Sequence, residues 1–291
     1  MSAAVQSVDV SEGPLAIIAG GGSLPFAVAD AARQRGRCVL LFALRGWADP
    51  QRVSAYPHHW AFMGQFGFFR RTAQAEGCRD VVFIGAVGRP TLRQLRPDLG
   101  TLRLVPHIFR LYKGGDDHLL SGIGRIFEAH GFRLLGAHEV APEILMPRGT
   151  LGTRAPSERD RADIARGLAL LHATGPFDVG QAVVVADNHV LAVEGAEGTD
   201  RMLERIAELR RGGRVRTSTG GVLVKAPKGG QDHRVDLPSI GPQTVDGVAR
   251  AGLAGVAVVA GSAIVAEPEL IATAADRANV FVVGVGGDGS A

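Results

Sequence analysis

The 291-residue chain is 46% hydrophobic but only 5% aromatic and carries 40 glycines, a profile that suits α/β architecture with Ala, Val, Leu and Ile cores and disfavours an all-β sandwich. That length can bury one large core or two of ordinary domain size, and two is the expectation. A formal charge of +3, from 32 basic against 29 acidic side chains, lacks the concentrated basic patch of a dedicated nucleic-acid binder and favours anionic small molecules or a membrane surface.

Residues 1–13 are small, polar and aperiodic, and are expected to be a disordered leader. Leu15–Ala19 then reads as a buried strand running into Gly20-Gly21-Gly22, with a helix from Pro25 to Arg35 behind it. Cys38–Leu44 and Val81–Ala86 continue as strands, separated by a helix over Phe66–Glu76. This alternation predicts a parallel sheet wrapped by helices. A helix over His118–His130 and a strand over Phe132–Gly136 follow. The Pro- and Gly-punctuated stretch AHEVAPEILMPRGTLG then places a domain boundary close to residue 140.

The second half restarts with a helix over Ser157–Ala173 and a hairpin of Val183–Ala186 and Val190–Val193 around Asp187-Asn188-His189. Helices at Asp200–Arg211 and Pro242–Ala251 alternate with strands at Val222–Lys225, Val256–Ala260 and Val280–Val283. Cys38 and Cys78 are the only cysteines and are expected to be buried and reduced. No window approaches the roughly 18 apolar residues of a spanning helix, and the first ten residues lack a basic start followed by an apolar run. The expected location is therefore cytoplasmic.

The densest chemistry lies in KAPKGGQDHRVDLPSIG. Lys225, Lys228 and Arg234 offer cationic donors, and Gln231 adds a neutral one. Gly229-Gly230 admit close backbone approach, while Pro227 and Pro238 stiffen the ends. Asp236, among these cations, ionises readily and suits holding a divalent metal or orienting a water. The competing reading is a solvated basic hairpin with Asp236 as an ordinary ion-pair partner. A phosphate site of this composition serves a kinase, a phosphatase or a passive binder equally well.

Weaker signals lie elsewhere. Gly20-Gly21-Gly22-Ser23-Leu24, between strand and helix, can aim backbone N–H groups at a phosphate or sugar. A dinucleotide fingerprint would need a third glycine where Pro25 stands and an acid where Leu44-Arg45 stand, so an NAD(P)-dependent oxidoreductase is the weaker alternative. Glu197-Gly198-Thr199-Asp200 opens a helix, with Thr199 or Asp200 as its cap and sugar hydroxyls or a metal shell as further roles. Asp116 or Asp117 after Lys113-Gly114-Gly115 reads as another cap. His138, Glu139 and Glu143 lack the further ligands of a zinc site and read as a hinge with solvated charges.

Taken in order, IAGGGSLP, KGGDDHLL, GAHEV, MPRGTLG, DVGQAVVV, AVEGAEGTD and KAPKGGQDHRVDLPSIG span nearly the whole chain, and together they resemble the UDP-2,3-diacylglucosamine pyrophosphatases of the LpxI type. One departure is Gln65 in GQFG, where the family pattern carries an acid. The resemblance implies hydrolysis of a lipid-linked nucleotide sugar to UMP and 2,3-diacylglucosamine 1-phosphate in lipid A biosynthesis, with Mg2+ as cofactor. It implies Asp236 as the essential aspartate of the RVDLP motif, and the metal is expected on Asp236 with help from Glu197 or Asp200. Substrate contacts are expected from Gly20, Gly21, Gly22, Ser23, Leu24, Glu197, Gly198, Thr199, Asp200, Lys225, Lys228, Gln231 and Arg234. The expected architecture is α/β: an N-terminal Rossmann-like parallel-sheet domain over 14–140 and a C-terminal catalytic α/β domain over 141–286, with the substrate cleft between them. Peripheral contact with the inner face of the inner membrane and a homo-oligomer fit this picture, nucleic acid does not, and a non-catalytic nucleotide-sugar or lipid-binding regulator is the alternative function.

Overall fold

The computed structural model of the protein describes residues 13–88, 95–104, 116–177, 179–215, 220–228, 232–287 and 289, with 116–120 as backbone only. Contacts divide the chain into two compact units, Met1–Pro142 with Asp232–Asp236, and Glu143–Gln231 with Leu237–Ala291. Residues 1–12 of the expected leader, the Lys113-Gly114-Gly115 turn, and Gly229, Gly230 and Gln231 lie outside the described residues.

In the first unit, β1 (Leu15–Ala19), β2 (Val39–Leu44), β3 (His58–Ala61), β4 (Asp80–Ile84) and β5 (Arg133–Leu134) form one sheet in the order β3-β2-β1-β4-β5. Every neighbouring pair is parallel, which gives the expected Rossmann-like arrangement. The central strands LAIIA and VLLFAL are continuous apolar runs because helices cover both faces. α1 (Leu24–Gln34) carries Pro25 in its first turn, where no N–H is needed, and buries Phe26, Val28 and Ala29. α2 (Pro50–Val53) is capped by Asp49. β3, HHWA, has no β-branched run to announce it, and its pairing with β2 defines it.

α3 (Phe66–Ala75), α4 (Leu99–Leu102), α5 (Asp116–Ala129) and α6 (Ala137–Val140) complete this unit. Phe69 of α3 packs its ring 4.5, 5.0 and 5.2 Å from Phe42, Phe127 and Phe132, so aromatic edges close the core between α3, α5 and the sheet. At the amino ends of β4 and β5, Asp80 is 1% exposed. It accepts from Arg133 Nε at 2.7 Å and Nη2 at 2.9 Å, and also pairs with Arg37. Cys78 is buried as expected, which raises its thiol pKa to about 11, but Cys38 is exposed. Cys38 stands immediately before β2, ahead of its first buried residue Val39.

The second unit contains β6 (Gly149–Leu151), α7 (Glu158–Thr174), β7 (Ala182–Ala186), β8 (His189–Val193), α8 (Gly198–Arg211) and β9 (Val222–Lys225). β10 (Ser239–Ile240), α9 (Pro242–Arg250), β11 (Gly255–Val259), β12 (Ile264–Val265), α10 (Pro268–Ala278) and β13 (Phe281–Val285) follow. The main sheet has the order β6-β13-β11-β9-β7-β8, and β10 pairs with β12 apart from it. β9, β11 and β13 are parallel, while β6 and β7 run against their neighbours.

Strand alternation divides the core of this unit. Val184, Leu223, Val256 and Val282 face Met202, Leu203, Ile206, Val245 and Ile271 of α8, α9 and α10. Val183, Val185, Val222, Val224 and Val283 face Ile164, Leu168 and Leu171 of α7. Gly167 lets α7 lie close on the sheet, since a Cβ there would sit 2.7 Å from Val224 Cγ2. The expected hairpin is present, with Asp187 and Asn188 both at positive φ, 51° and 64°. Its turn is closed by buried Asp163 of α7, whose carboxylate accepts from Asn188 N at 2.6 Å and Asp187 N at 3.2 Å. α10, with Ile271, Ala274 and Ala275 as its buried residues, has too thin an apolar stripe to have been read from the sequence.

Candidate active site

Asp236 lies on a turn that the first unit grips firmly. Val235 N and Asp236 N both donate to Asp232 O, at 3.0 and 3.1 Å, closing the turn on itself. Arg234 donates from Nε to Asp232 Oδ1 at 2.9 Å and from Nη2 to Oδ2 at 2.8 Å, a two-pronged pair of fixed geometry. Its Nη1 reaches Glu128 Oε1 of α5 at 2.7 Å. These bonds raise the Arg234 pKa, and the Arg234 side chain holds the Asp232 carboxyl below its usual range. Val235 packs against the aromatic core of β1, α3, α5 and β5. Asp236 itself is half-buried.

The expected role of Arg234 as a phosphate donor therefore meets a guanidinium already occupied with Asp232 and Glu128. Asp232 and Glu128, which position it, were not singled out from sequence. The spacing Asp232-x-Arg234 in QDHRVD carried the signal. His138 lies beside this turn: a Cβ on Gly136 would be 2.5 Å from its ring and 3.2 Å from Arg234 Cα. Burial lowers the His138 pKa, and its buried Nδ1 has no hydrogen-bond partner among the described residues. Glu139, read as a solvated hinge residue, accepts from Gly136 N at 3.0 Å and closes the start of α6.

The glycine turn serves packing at its first two positions. Gly20 N donates to Ile84 O at 2.9 Å, and Gly21 exchanges backbone bonds with Ala86 at 2.8 and 2.9 Å. A Cβ on Gly20 would fall 2.8 Å from Gly85 and Ala86 carbonyl oxygens. Gly22, at φ 86°, turns the chain into α1 at Ser23 and Leu24. Gln65 accepts from Phe62 N at 2.8 Å and so shapes the entry to α3.

In the second unit, Lys225 ends β9 with only 5% exposure, and its Nζ donates to Ser239 O at 3.1 Å. Burial pushes its ammonium pKa down, opposed by the Glu194 and Asp200 carboxylates. Glu194, 8% exposed, accepts from Thr199 Oγ1 at 2.6 Å and Gln181 N at 2.9 Å. The structure thus gathers Lys225, Glu194, Thr199 and Asp200 at the carboxyl end of β9. Neither Thr199 nor Asp200 is the cap of α8. Glu197 holds that position without a side-chain capping bond, while Thr199 is turned to Glu194 and Gly198 takes φ 80°. Glu197 is exposed and pairs with Arg205 at 3.0 Å. Lys228 is half-buried.

Among the described residues, no three His, Cys, Asp or Glu side chains gather as a metal-holding group. Magnesium needs no such cage, since it is commonly held by one or two carboxylates and completed by substrate phosphates. A half-buried carboxylate on an anchored turn, as at Asp236, fits that kind of donor. Among the described residues, no helix is long and apolar enough to cross a membrane.

Family models match the chain in two successive stretches, the LpxI N-terminal domain over residues 14–144 and the LpxI C-terminal domain over residues 147–283. A protein of Caulobacter vibrioides named UDP-2,3-diacylglucosamine pyrophosphatase LpxI is 43% identical over 272 residues, covering 93% of this chain and 97% of its own length. With both domains matched in order and almost the full length shared, the chain belongs to the LpxI family.

Proposed function

We propose that this protein hydrolyses the pyrophosphate of UDP-2,3-diacylglucosamine, yielding UMP and 2,3-diacylglucosamine 1-phosphate in lipid A biosynthesis. The observation that carries the reading is the 43% identity with the Caulobacter vibrioides pyrophosphatase over 93% of this chain and 97% of that protein. In this reaction the oxygen of water bonds to the glucosamine-side phosphorus. The bridging P–O bond breaks with its electron pair going to the UMP oxygen, and the proton lost by water passes to solvent.

Asp236 is the catalytic carboxylate in this reading and orients the attacking water. The hydrogen-bonded turn around Asp232 and the Arg234 anchor support that role, because a reacting group must be held within narrow geometric limits. Asp236 would hold Mg2+, which when bound supplies Lewis-acid polarisation of the phosphoryl oxygens. Lys228 offsets phosphate charge. Arg234 contributes by holding the turn. The substrate contact of the glycine turn is assigned to Gly22, Ser23 and Leu24, since Gly20 and Gly21 are bonded to the neighbouring strand end.

Peripheral membrane contact belongs to the same proposal. It is supported by Leu99 and Leu102, 79% and 50% exposed, beside exposed Arg96 and Arg103. Release of UMP from UDP-2,3-diacylglucosamine by the purified protein, with and without chelator, tests the activity and its metal requirement. Asp236→Ala is expected to abolish release while retaining the fold and substrate binding. An active Asp236→Ala protein overturns the assignment.

A further inference from the structure

Gly136 leads from β5 into α6 with φ −72° and ψ 143°, an extended conformation that any residue adopts. No backbone strain calls for glycine at this position; the space around it does. A Cβ there would lie 2.5 Å from His138 Cε1, 2.8 Å from His138 Nδ1 and 3.2 Å from Arg234 Cα. A side-chain ring and the backbone of the Asp232–Asp236 turn thus close on the same point, and all three residues belong to the first unit.

The other attachments of the turn to this unit are made by side chains. Arg234 reaches Glu128 Oε1 at 2.7 Å and Leu134 O at 3.4 Å, and Val235 packs on the aromatic core. At Gly136 it is the main chain of the turn that comes close, two residues before Asp236.

His138 fills the room that Gly136 leaves. Its Nδ1 is buried with no hydrogen-bond partner among the described residues, so on that side the ring supplies bulk rather than a bond. A flat ring with two torsions has few ways to give. The short helix that carries it is itself fixed: Gly136 N donates to Glu139 Oε2 at 3.0 Å, Ala141 N donates to Ala137 O at 2.9 Å, and Ala137 and Val140 are buried.

We infer that Gly136 and His138 are positioning residues for Asp236: the missing side chain admits the turn, and the ring sets how far it comes in. The inference rests on the proposed hydrolysis, with Asp236 as its reacting carboxylate, only for the effect on turnover. The packing is a property of the substrate-free protein.

The test compares wild type with Gly136→Ala, His138→Ala and His138→Leu. Hydrogen exchange is read on substrate-free protein at the amides of Val235 and Asp236, which close the turn on Asp232 O. Steady-state kinetics are read on UDP-2,3-diacylglucosamine. Gly136→Ala is expected to quicken exchange there and to lower kcat about 10- to 100-fold with KM little altered, since the added methyl pushes on the turn and a shift of about 1 Å at a reacting group costs on that order. His138→Ala is expected to quicken the same exchange and to lower kcat about 10-fold. His138→Leu, which restores bulk without a nitrogen, is expected to recover most of that loss. If Gly136→Ala fails to fold, the two His138 variants still decide the inference.

His138→Leu as slow as His138→Ala would make the ring nitrogens necessary and overturn the spacer role. A raised KM with unchanged kcat and exchange would place the pair on the substrate and overturn it as well. A lowered melting temperature with unchanged exchange and kcat would reduce both residues to ordinary packing, with the same consequence. If wild-type protein releases no UMP, the proposed reaction fails, while the exchange comparison still decides the packing.

Discussion

Arg234 grips Asp232, two positions before it, through both carboxylate oxygens, at 2.9 and 2.8 Å, and extends its remaining arm to Glu128 at 2.7 Å. A cation in a phosphate-like motif is thereby committed to shaping the turn that ends in Asp236. Arginine suits this task because its planar fork matches a carboxylate, and three bonds from one side chain fix orientation as well as position.

Arg234→Met is therefore expected to act on rate more than on affinity. Loss of the fork frees the turn, and a displacement of about 1 Å at a reacting group can cost on the order of 100-fold in turnover. The Arg234 side chain is 33% exposed, so the stability loss is expected to be modest, about 1–2 kcal/mol. Steady-state kinetics paired with thermal unfolding measures both, and a pure KM effect would return Arg234 to the substrate.

Asp98 tests the N-terminus of α3. It accepts from Gly67 N at 3.2 Å, Phe68 N at 2.6 Å and Thr101 N at 2.8 Å. Burial raises its pKa, but these bonds outweigh that and hold it below the usual carboxylate value. Asp98→Ala is expected to cost about 1–2 kcal/mol, as for other lost helix caps. Because the folded pKa is depressed, the contribution is complete above the unfolded value of about 4 and is lost as pH falls through the folded one. Melting curves of the two proteins should differ at neutral pH and converge under acid conditions. A constant gap down to acid pH would contradict this.

Gly20→Ala separates packing from ligand contact in the glycine turn. Its Cβ would press on the Gly85 and Ala86 carbonyl oxygens at 2.8 Å, and overpacking of that kind costs about 1–3 kcal/mol. The expected result is a lowered melting temperature with KM unchanged. A raised KM at unchanged stability would restore Gly20 to the binding site.

Replacing Leu99 and Leu102 together by Glu addresses the membrane surface. Co-sedimentation with phosphatidylglycerol vesicles is expected to fall sharply, since exposed apolar and cationic side chains bind anionic bilayers jointly. Hydrolysis of detergent-dispersed substrate should persist. Equal binding of wild type and variant to vesicles would remove this patch from the proposal.

What was legible in the sequence follows from how local its causes are. β1 and β2 announced themselves because buried parallel strands are unbroken apolar runs, and β9 through its buried Val222-Leu223-Val224. β3 and α10 did not, because tertiary pairing defines HHWA and only Ile271, Ala274 and Ala275 mark the buried side of α10. Cys38 looked buried because it adjoins an apolar strand, but exposure there is decided by the sheet edge. In the candidate site, the motif gave the residue types but not their partners. Whether Arg234 meets phosphate or Asp232, and whether Lys225 reaches outward or to Ser239, depends on side-chain direction and on bonds between distant positions.

Asp163 sits on α7, yet its carboxylate receives both N–H groups of the left-handed Asp187-Asn188 turn. The hairpin turn and α7 are therefore held to each other by one side chain. Without that carboxylate the two turn N–H groups lose their acceptor, and the turn that joins β7 to β8, the strand at the sheet edge, is loosened. A single buried acid thus ties the stability of an edge hairpin to that of the helix lying over the sheet, two elements that sequence separates by some twenty residues.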